Sequence, residues 1–168
     1  MSSADGFDFD VAVIGGGSAG YAAARTAAQG GLRTVVIEGG REVGGLCILR
    51  GCMPTKALLY AAEVKHLAEQ AATWGIQIPE IRFDFAQVMA RKQAMIADFA
   101  GYRRQQLEGG RFQFIRANAR FVDAHTVELE NGRRITSAHF VLSTGSVVSS
   151  VPLRQLDAIR FLTSDTAM

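Results

Sequence analysis

Short apolar runs bounded by glycines open the chain. Asp10-Val-Ala-Val-Ile14 is a short apolar run rich in β-branched residues, the pattern of a strand. Gly15-Gly16-Gly17-Ser18-Ala19-Gly20 follows, and then an alanine-rich stretch that suits a helix to about Gln29. Gly30-Gly31 breaks the helix, Arg33 to Ile37 makes a second apolar strand ending at Glu38, and Gly39-Gly40 stops it. Strand, glycine turn, helix and strand predict a parallel β-α-β unit. Residues 1–7, small and polar, read as a disordered leader.

The period then lengthens. From Met53 or Pro54, residues Leu58, Leu59, Ala62, Leu67 and Ala71 trace an apolar helical stripe that ends near Trp74-Gly75, and proline suits the first turn. Asp84 is the expected N-cap of another long helix, carrying Val88, Met89, Met95, Ile96, Phe99 and Tyr102 as far as Gly109-Gly110. Short strands are expected at Phe112 to Ile115, Ala119 to Val122, Thr126 to Leu129 and Arg134 to Thr136, with Asn131-Gly132 as a hairpin turn. A last buried strand, His139 to Leu142, runs into Ser143-Thr144-Gly145-Ser146. No convincing element follows Pro152.

Composition narrows the class. Of 168 residues, 48% are hydrophobic and 20% charged, enough for a core and too apolar for a disordered chain. The formal charge of +2 is spread out, without the dense basic run that nucleic acid or an anionic membrane attracts, and no apolar stretch approaches the roughly 20 residues that cross a bilayer. Neither partner is expected, and the cytoplasm is the expected compartment. The only two cysteines, Cys47 and Cys52, have four residues between them. So small a ring adds little as a staple against unfolding, whereas two close thiols can form and break a disulfide repeatedly, and a reducing compartment disfavours a permanent bond. The positive end of a helix beginning near Cys52, with Lys56 nearby, favours the reactive thiolate. A metal site is not expected, because His66, His125 and His139 fit no ligand spacing with the pair.

Gly15-x-Gly17-x-x-Gly20 between a strand and a helix permits a tight turn and the close approach of a pyrophosphate to the helix N-terminus. Glu38 stands at the end of the second strand, where a carboxylate accepts hydrogen bonds from ribose hydroxyls. An adenine dinucleotide is therefore expected, and the fingerprint leaves NAD, NADP and FAD open. The cysteines favour FAD, since a disulfide does not readily take a hydride directly and a flavin placed between bridges the two chemistries.

Gly44-Gly45-Leu46-Cys47-x4-Cys52-Met53-Pro54-Thr55-Lys56, read with the fingerprint and with Ser143-Thr144-Gly145-Ser146, resembles the class I pyridine nucleotide-disulfide oxidoreductases, among them dihydrolipoamide dehydrogenase, glutathione reductase and mercuric reductase. The resemblance runs from Asp10 to about Asp165. It implies an α/β, Rossmann-like FAD-binding domain over residues 8–168, with a parallel sheet, helices and a small antiparallel β-meander, incomplete relative to the family. By the same resemblance Cys47 is the interchange thiol facing substrate, Cys52 the thiol facing the flavin, and Lys56 a cation beside the flavin edge. Cofactor contacts are implied at Gly15, Gly17, Ser18, Ala19 and Gly20, at Glu38 and Gly39, at Gly44, Gly45, Leu46, Cys47, Cys52 and Lys56, and at Ala119, Thr144, Gly145 and Ser146. The chain departs from the family at Leu46, where threonine is common, at Leu49-Arg50, where Asn-Val is common, and at Ser143, where alanine is common.

The resemblance further implies an N-terminal part of a longer homodimeric flavoenzyme, inactive alone, that passes electrons between NAD(P)H, FAD and a small disulfide or dithiol, as dihydrolipoamide dehydrogenase does. Two rivals remain: a non-catalytic FAD- or ADP-binding module, and a two-cysteine redox domain without flavin.

Overall fold

A computed structural model describes residues 6–149, 152 and 158–167. It comprises two compact units, Met1–Cys47 with Ala100–Val147 and Ile48–Phe99 with Val148–Met168.

The first unit is built on a six-stranded sheet of order β3-β2-β1-β6-β5-β4, formed by β1 (Phe9–Ile14), β2 (Thr34–Glu38), β3 (Gln113–Arg116), β4 (Ala119–Phe121), β5 (Thr126–Leu129) and β6 (Arg134–Leu142). β3, β2, β1 and β6 run parallel, whereas β4, β5 and β6 pair antiparallel as the expected meander. The β-α-β unit is β1, α1 (Ser18–Gln29) and β2. Its strands read as continuous apolar runs because both faces are covered. Val11, Val13 and Val36 pack with Ala24 of α1 and with Leu107, near the end of the helix that runs to Glu108. Ala12, Val35 and Ile37 on the opposite face pack with Val127, Leu129 and Ile135. Each such large aliphatic side chain contributes about 1.5–3 kcal/mol by leaving water.

Two details of this unit differ from the sequence pattern. Arg134 to Thr136 and His139 to Leu142 are one nine-residue strand, whose first part pairs with β5 and whose second part pairs with β1. Ser137 interrupts the apolar pattern, but it is fully buried and satisfied: its amide donates to the His125 carbonyl (2.9 Å) and its hydroxyl to the His139 carbonyl (2.8 Å). The end of this strand is also less buried than expected, for His139 is exposed and Leu142 stands 66% exposed at the carboxyl end of the sheet. The Asn131-Gly132 turn forms as expected, with Gly132 at φ 81° and its amide donating to the Leu129 carbonyl.

Near the N-terminus, residues 1–5 of the expected leader lie outside the described residues. Phe7 is half-buried, its ring 5.1 Å from that of His125, and its carbonyl accepts from Arg33 Nη1.

The second unit contains α3 (Cys52–Glu69), a 3-10 turn (Ala71–Trp74), residues 85–99 of α4 (Phe85–Glu108) and α5 (Ser164–Ala167). The helix expected to reach Trp74 ends five residues earlier: the backbone tightens at Gln70, and Gly75 in the left-handed region (φ 75°) closes the turn. Asp84 caps α4 as expected, accepting from the Gln87 amide. Helical spacing is correct in α3 and α4, but the burial it suggested is not. Leu59 and Leu67 are 63% and 59% exposed, since spacing marks one side of a helix without supplying a partner for it. α5 was not expected; Thr163 closes it by accepting from the Ala167 amide and by donating its own amide to Thr166 Oγ1.

Candidate functional site

At the carboxyl end of β1 the chain turns on Gly15, held at φ 103°, with its amide donating to the Ile37 carbonyl at 2.8 Å. The space allows no side chain. A Cβ on Gly15 would lie 2.3 Å from the Ser143 carbonyl oxygen, and one on Gly20 would lie 1.8 Å from the Gly15 oxygen. The first turn of α1 therefore rests directly on the glycine turn. Gly17 is the N-cap, no side chain caps the helix, and no acidic residue occupies its first turn. The amides at Ser18, Ala19 and Gly20 so present an uncompensated positive end, which suits the phosphates of a dinucleotide.

Glu38 is fixed beside this turn. Its Oε2 accepts from the Gly16 amide at 2.7 Å and its Oε1 from the Gly40 amide at 2.6 Å. Each carboxylate oxygen keeps acceptor capacity for a further donor such as a ribose hydroxyl. Gly16 and Gly40 were not singled out in the sequence. The triple glycine was the available signal for Gly16, where a Cβ would meet Glu38 Oε2 at 3.2 Å and Leu107 Cδ1 at 3.3 Å. Gly39 is similarly tight, since a Cβ there would lie 2.2 Å from Asn118 Oδ1. Asn118 also escaped notice, and it carries the chain into Ala119 at the start of β4.

The segment leading to the first cysteine meets the same turn. Gly44 and Gly45 both take positive φ, 138° and 72°, and a Cβ on Gly45 would stand 2.6 Å from the Cα of Gly17. Glycine at both positions lets the start of α2 (Gly45–Leu49) lie against the start of α1. Leu46 is then exposed and Cys47 half-buried. From the β6 side, Thr144 approaches the Gly15 Cβ position to 3.3 Å, and Gly145 turns the chain at φ 76°. Thr144, Gly145 and Ser146 are exposed. Ser143 Oγ is buried without a hydrogen-bond partner, close to Gly20. An unsatisfied hydroxyl beside a cradle closed to side chains fits an adenine dinucleotide with polar phosphates.

In the second unit, Cys52 is the first residue of α3 and is exposed. Gly51 is the N-cap, with no side-chain cap and no acid in the first turn. Pro54 is buried two residues on and anchors that turn, while Lys56, four residues after Cys52, lies on the same side of the helix and is exposed. Among the described residues no three His, Cys, Asp or Glu side chains gather as metal ligands. His125 Nδ1 lies 3.1 Å from the Ser137 carbonyl and serves the sheet.

Residues 9–168 match the family described as pyridine nucleotide-disulphide oxidoreductase. The chain is 32% identical over 173 residues to a dihydrolipoyl dehydrogenase of Bacillus subtilis, covering 96% of this chain and 36% of the relative. It is 36% identical over 167 residues to a mercuric reductase of Streptomyces lividans, covering 95% and 35%. Among solved structures, the HOCl-induced flavoprotein disulfide reductase RclA from Escherichia coli superimposes with a TM-score of 0.69 at 25% identity, covering 86% of this chain and 30% of that one. The chain thus spans about a third of the length of these relatives.

Proposed function

Because the chain belongs to the pyridine nucleotide-disulphide oxidoreductase family, we propose that it is the FAD-binding and redox-disulfide part of an enzyme that moves electrons between NAD(P)H and a small disulfide or dithiol. The observation that carries this reading is the approach of Gly45 to Gly17, which joins the start of the cysteine segment to the dinucleotide turn. A plain dinucleotide-binding module has no need of that contact.

The amides at Ser18, Ala19 and Gly20 hold the phosphates, and Glu38 holds the ribose while Gly16 and Gly40 fix its orientation. Gly39, Ala119, Thr144, Gly145 and Ser146 border the same cofactor. FAD, when bound, supplies a two-electron carrier between nicotinamide and the cysteine pair. The Cys47 thiolate attacks one sulfur of the substrate disulfide; that S–S bond breaks, a mixed disulfide forms, and the first substrate thiolate leaves and takes up a proton. The Cys52 thiolate then attacks the Cys47 sulfur, which closes the Cys47–Cys52 disulfide and releases the second substrate thiolate. Lys56, one turn along α3 from Cys52, borders the flavin edge with its positive charge.

Support for a dihydrolipoamide-type substrate is the Bacillus subtilis relative, and Leu46 and Leu49-Arg50 are the positions by which this chain adapts the surroundings of the pair. We place the protein in the cytoplasm, where a reducing milieu suits an exchanging dithiol; no helix among the described residues is long and apolar enough to cross a membrane. In the whole protein a second copy covers exposed apolar side chains such as Leu59, Tyr60 and Trp74.

Titration of the apoprotein with FAD, followed by quenching of flavin fluorescence, tests the reading. Glu38→Gln is expected to weaken FAD by about tenfold or more, as loss of a charged hydrogen-bond acceptor does. Unchanged affinity, or no flavin binding by the parent chain, contradicts it.

A further inference from the structure

The side of α1 from Tyr21 to Gln29 and the end of α4 border an open cleft of about 380 Å³ within the first unit. Tyr21, Arg25, Gln29, Gln106, Arg111 and Phe112 line it. Its charge is one-sided, for no aspartate or glutamate is among the lining residues. Next to the lining, the Arg103 guanidinium stacks 4.2 Å from the Tyr21 ring centroid, and that of Arg25 lies 5.9 Å from the same ring. Among the described residues the observed ion pairs leave all three arginines aside.

The apolar surface is aromatic and set. Tyr21 and Phe112 meet edge-on, with centroids 6.4 Å apart and planes at 71°, and the stacked Arg103 holds the tyrosine from behind. Gln106 Oε1 is buried and accepts no hydrogen bond, and Arg103 Nε and Nη1 are buried donors without acceptors. Buried polar atoms are ordinarily paired, so the orphaned Gln106 oxygen on this lining points to a missing complementary donor. The volume falls in the range of small-ligand sites.

We propose that this cavity binds a small aromatic anion: a flat ring against Tyr21 and Phe112, a carboxylate or phosphate ester at Arg25 and Arg111, and a ring hydroxyl or amine donating to Gln106 Oε1. Tyr21 stands in the first turn of α1, and Arg25 and Gln29 lie one and two turns further along it, so the anionic end of the ligand binds away from the glycine turn.

Calorimetric titration of the full chain with 4-hydroxybenzoate tests this, with benzoate lacking the donor and inorganic phosphate lacking the ring. Binding of 4-hydroxybenzoate should be tightest of the three. Arg25→Ala and Arg111→Ala, both at exposed positions, should each weaken it by about three- to fivefold, the scale of a solvent-exposed charge contact. Gln106→Leu should weaken 4-hydroxybenzoate and leave benzoate unchanged. Amide shifts in the parent chain, which need no variant, should centre on residues 21–29 and 106–112, not on 15–20. Absence of binding, equal binding by the arginine variants, phosphate binding as tightly as 4-hydroxybenzoate, or shifts centred on 15–20 overturns the proposal.

Discussion

Gly20→Ala places a methyl group where the molecule has none to spare, and the cost can be worked from the contacts. The new Cβ would lie 1.8 Å from the Gly15 oxygen, 2.9 Å from the Gly15 carbonyl carbon and 3.0 Å from Ser143 Oγ. The first separation is about 1.6 Å short of the 3.4 Å at which ordinary contact begins, and the obstacle is backbone. Overpacking of that kind costs about 1–3 kcal/mol or more. Against it stands a gain of about 1 kcal/mol, because alanine is the better helix former at a site with ordinary φ. A net loss of about 2 kcal/mol follows when the clash falls at the upper end of that range, with α1 displaced from the turn. Gly101→Ala is the matched control, since it too replaces a helical glycine in the same unit but its Cβ meets nothing within 4 Å. It should stabilise by about 0.5–1 kcal/mol. Thermal unfolding followed by circular dichroism should move the two midpoints in opposite directions, each by about 2–4 °C per kcal/mol. Gly20→Ala as stable as Gly101→Ala would falsify the claim that α1 is seated on the Gly15 carbonyl, and FAD affinity of Gly20→Ala equal to the parent's would deny the turn its cofactor role.

Other expectations concern the sheet. The Thr136 amide and hydroxyl both donate to Asp8 Oδ2, at 2.8 and 2.9 Å, and hold the Asp8 carboxyl below its ordinary value near 3.8. A lowered carboxylate stabilises above its unfolded pKa and loses that contribution as pH falls through the folded one. The deficit of Asp8→Asn in urea denaturation should therefore be full at neutral pH and shrink below about pH 4; a deficit independent of pH refutes the assignment. Ile135→Ala empties a fully buried position between β5 and β1 and should cost about 2–5 kcal/mol in denaturant titration. A loss under about 1 kcal/mol would show that the meander does not share the core of the parallel strands.

What was legible in the sequence followed from local rules. β1 and β2 carry short apolar runs rich in β-branched residues and followed by glycine, and burial on both faces leaves that imprint whatever the partners are. β6 was split at Ser137 because a buried hydroxyl reads as polar until its acceptor, the His139 carbonyl, is visible. α2 has five residues, too few for a helical period to show. The stripes of α3 and α4 had the correct spacing, yet spacing does not reveal what packs on it, and Leu59 and Leu67 are exposed. In the site, Glu38 was legible from its distance beyond the glycines. The amides of Gly16 and Gly40 that aim it, and Asn118 against Gly39, arise from contacts between segments and left no local mark.

The proposed function requires the Cys47–Cys52 pair to exchange electrons with a dinucleotide held at the glycine turn. Anaerobic reductive titration of the FAD-loaded chain, followed by visible absorbance, tests it most directly against Cys47→Ser, which cannot form the disulfide. The parent should take up one two-electron equivalent more than the variant before reduction is complete. Equal uptake by the two proteins contradicts it.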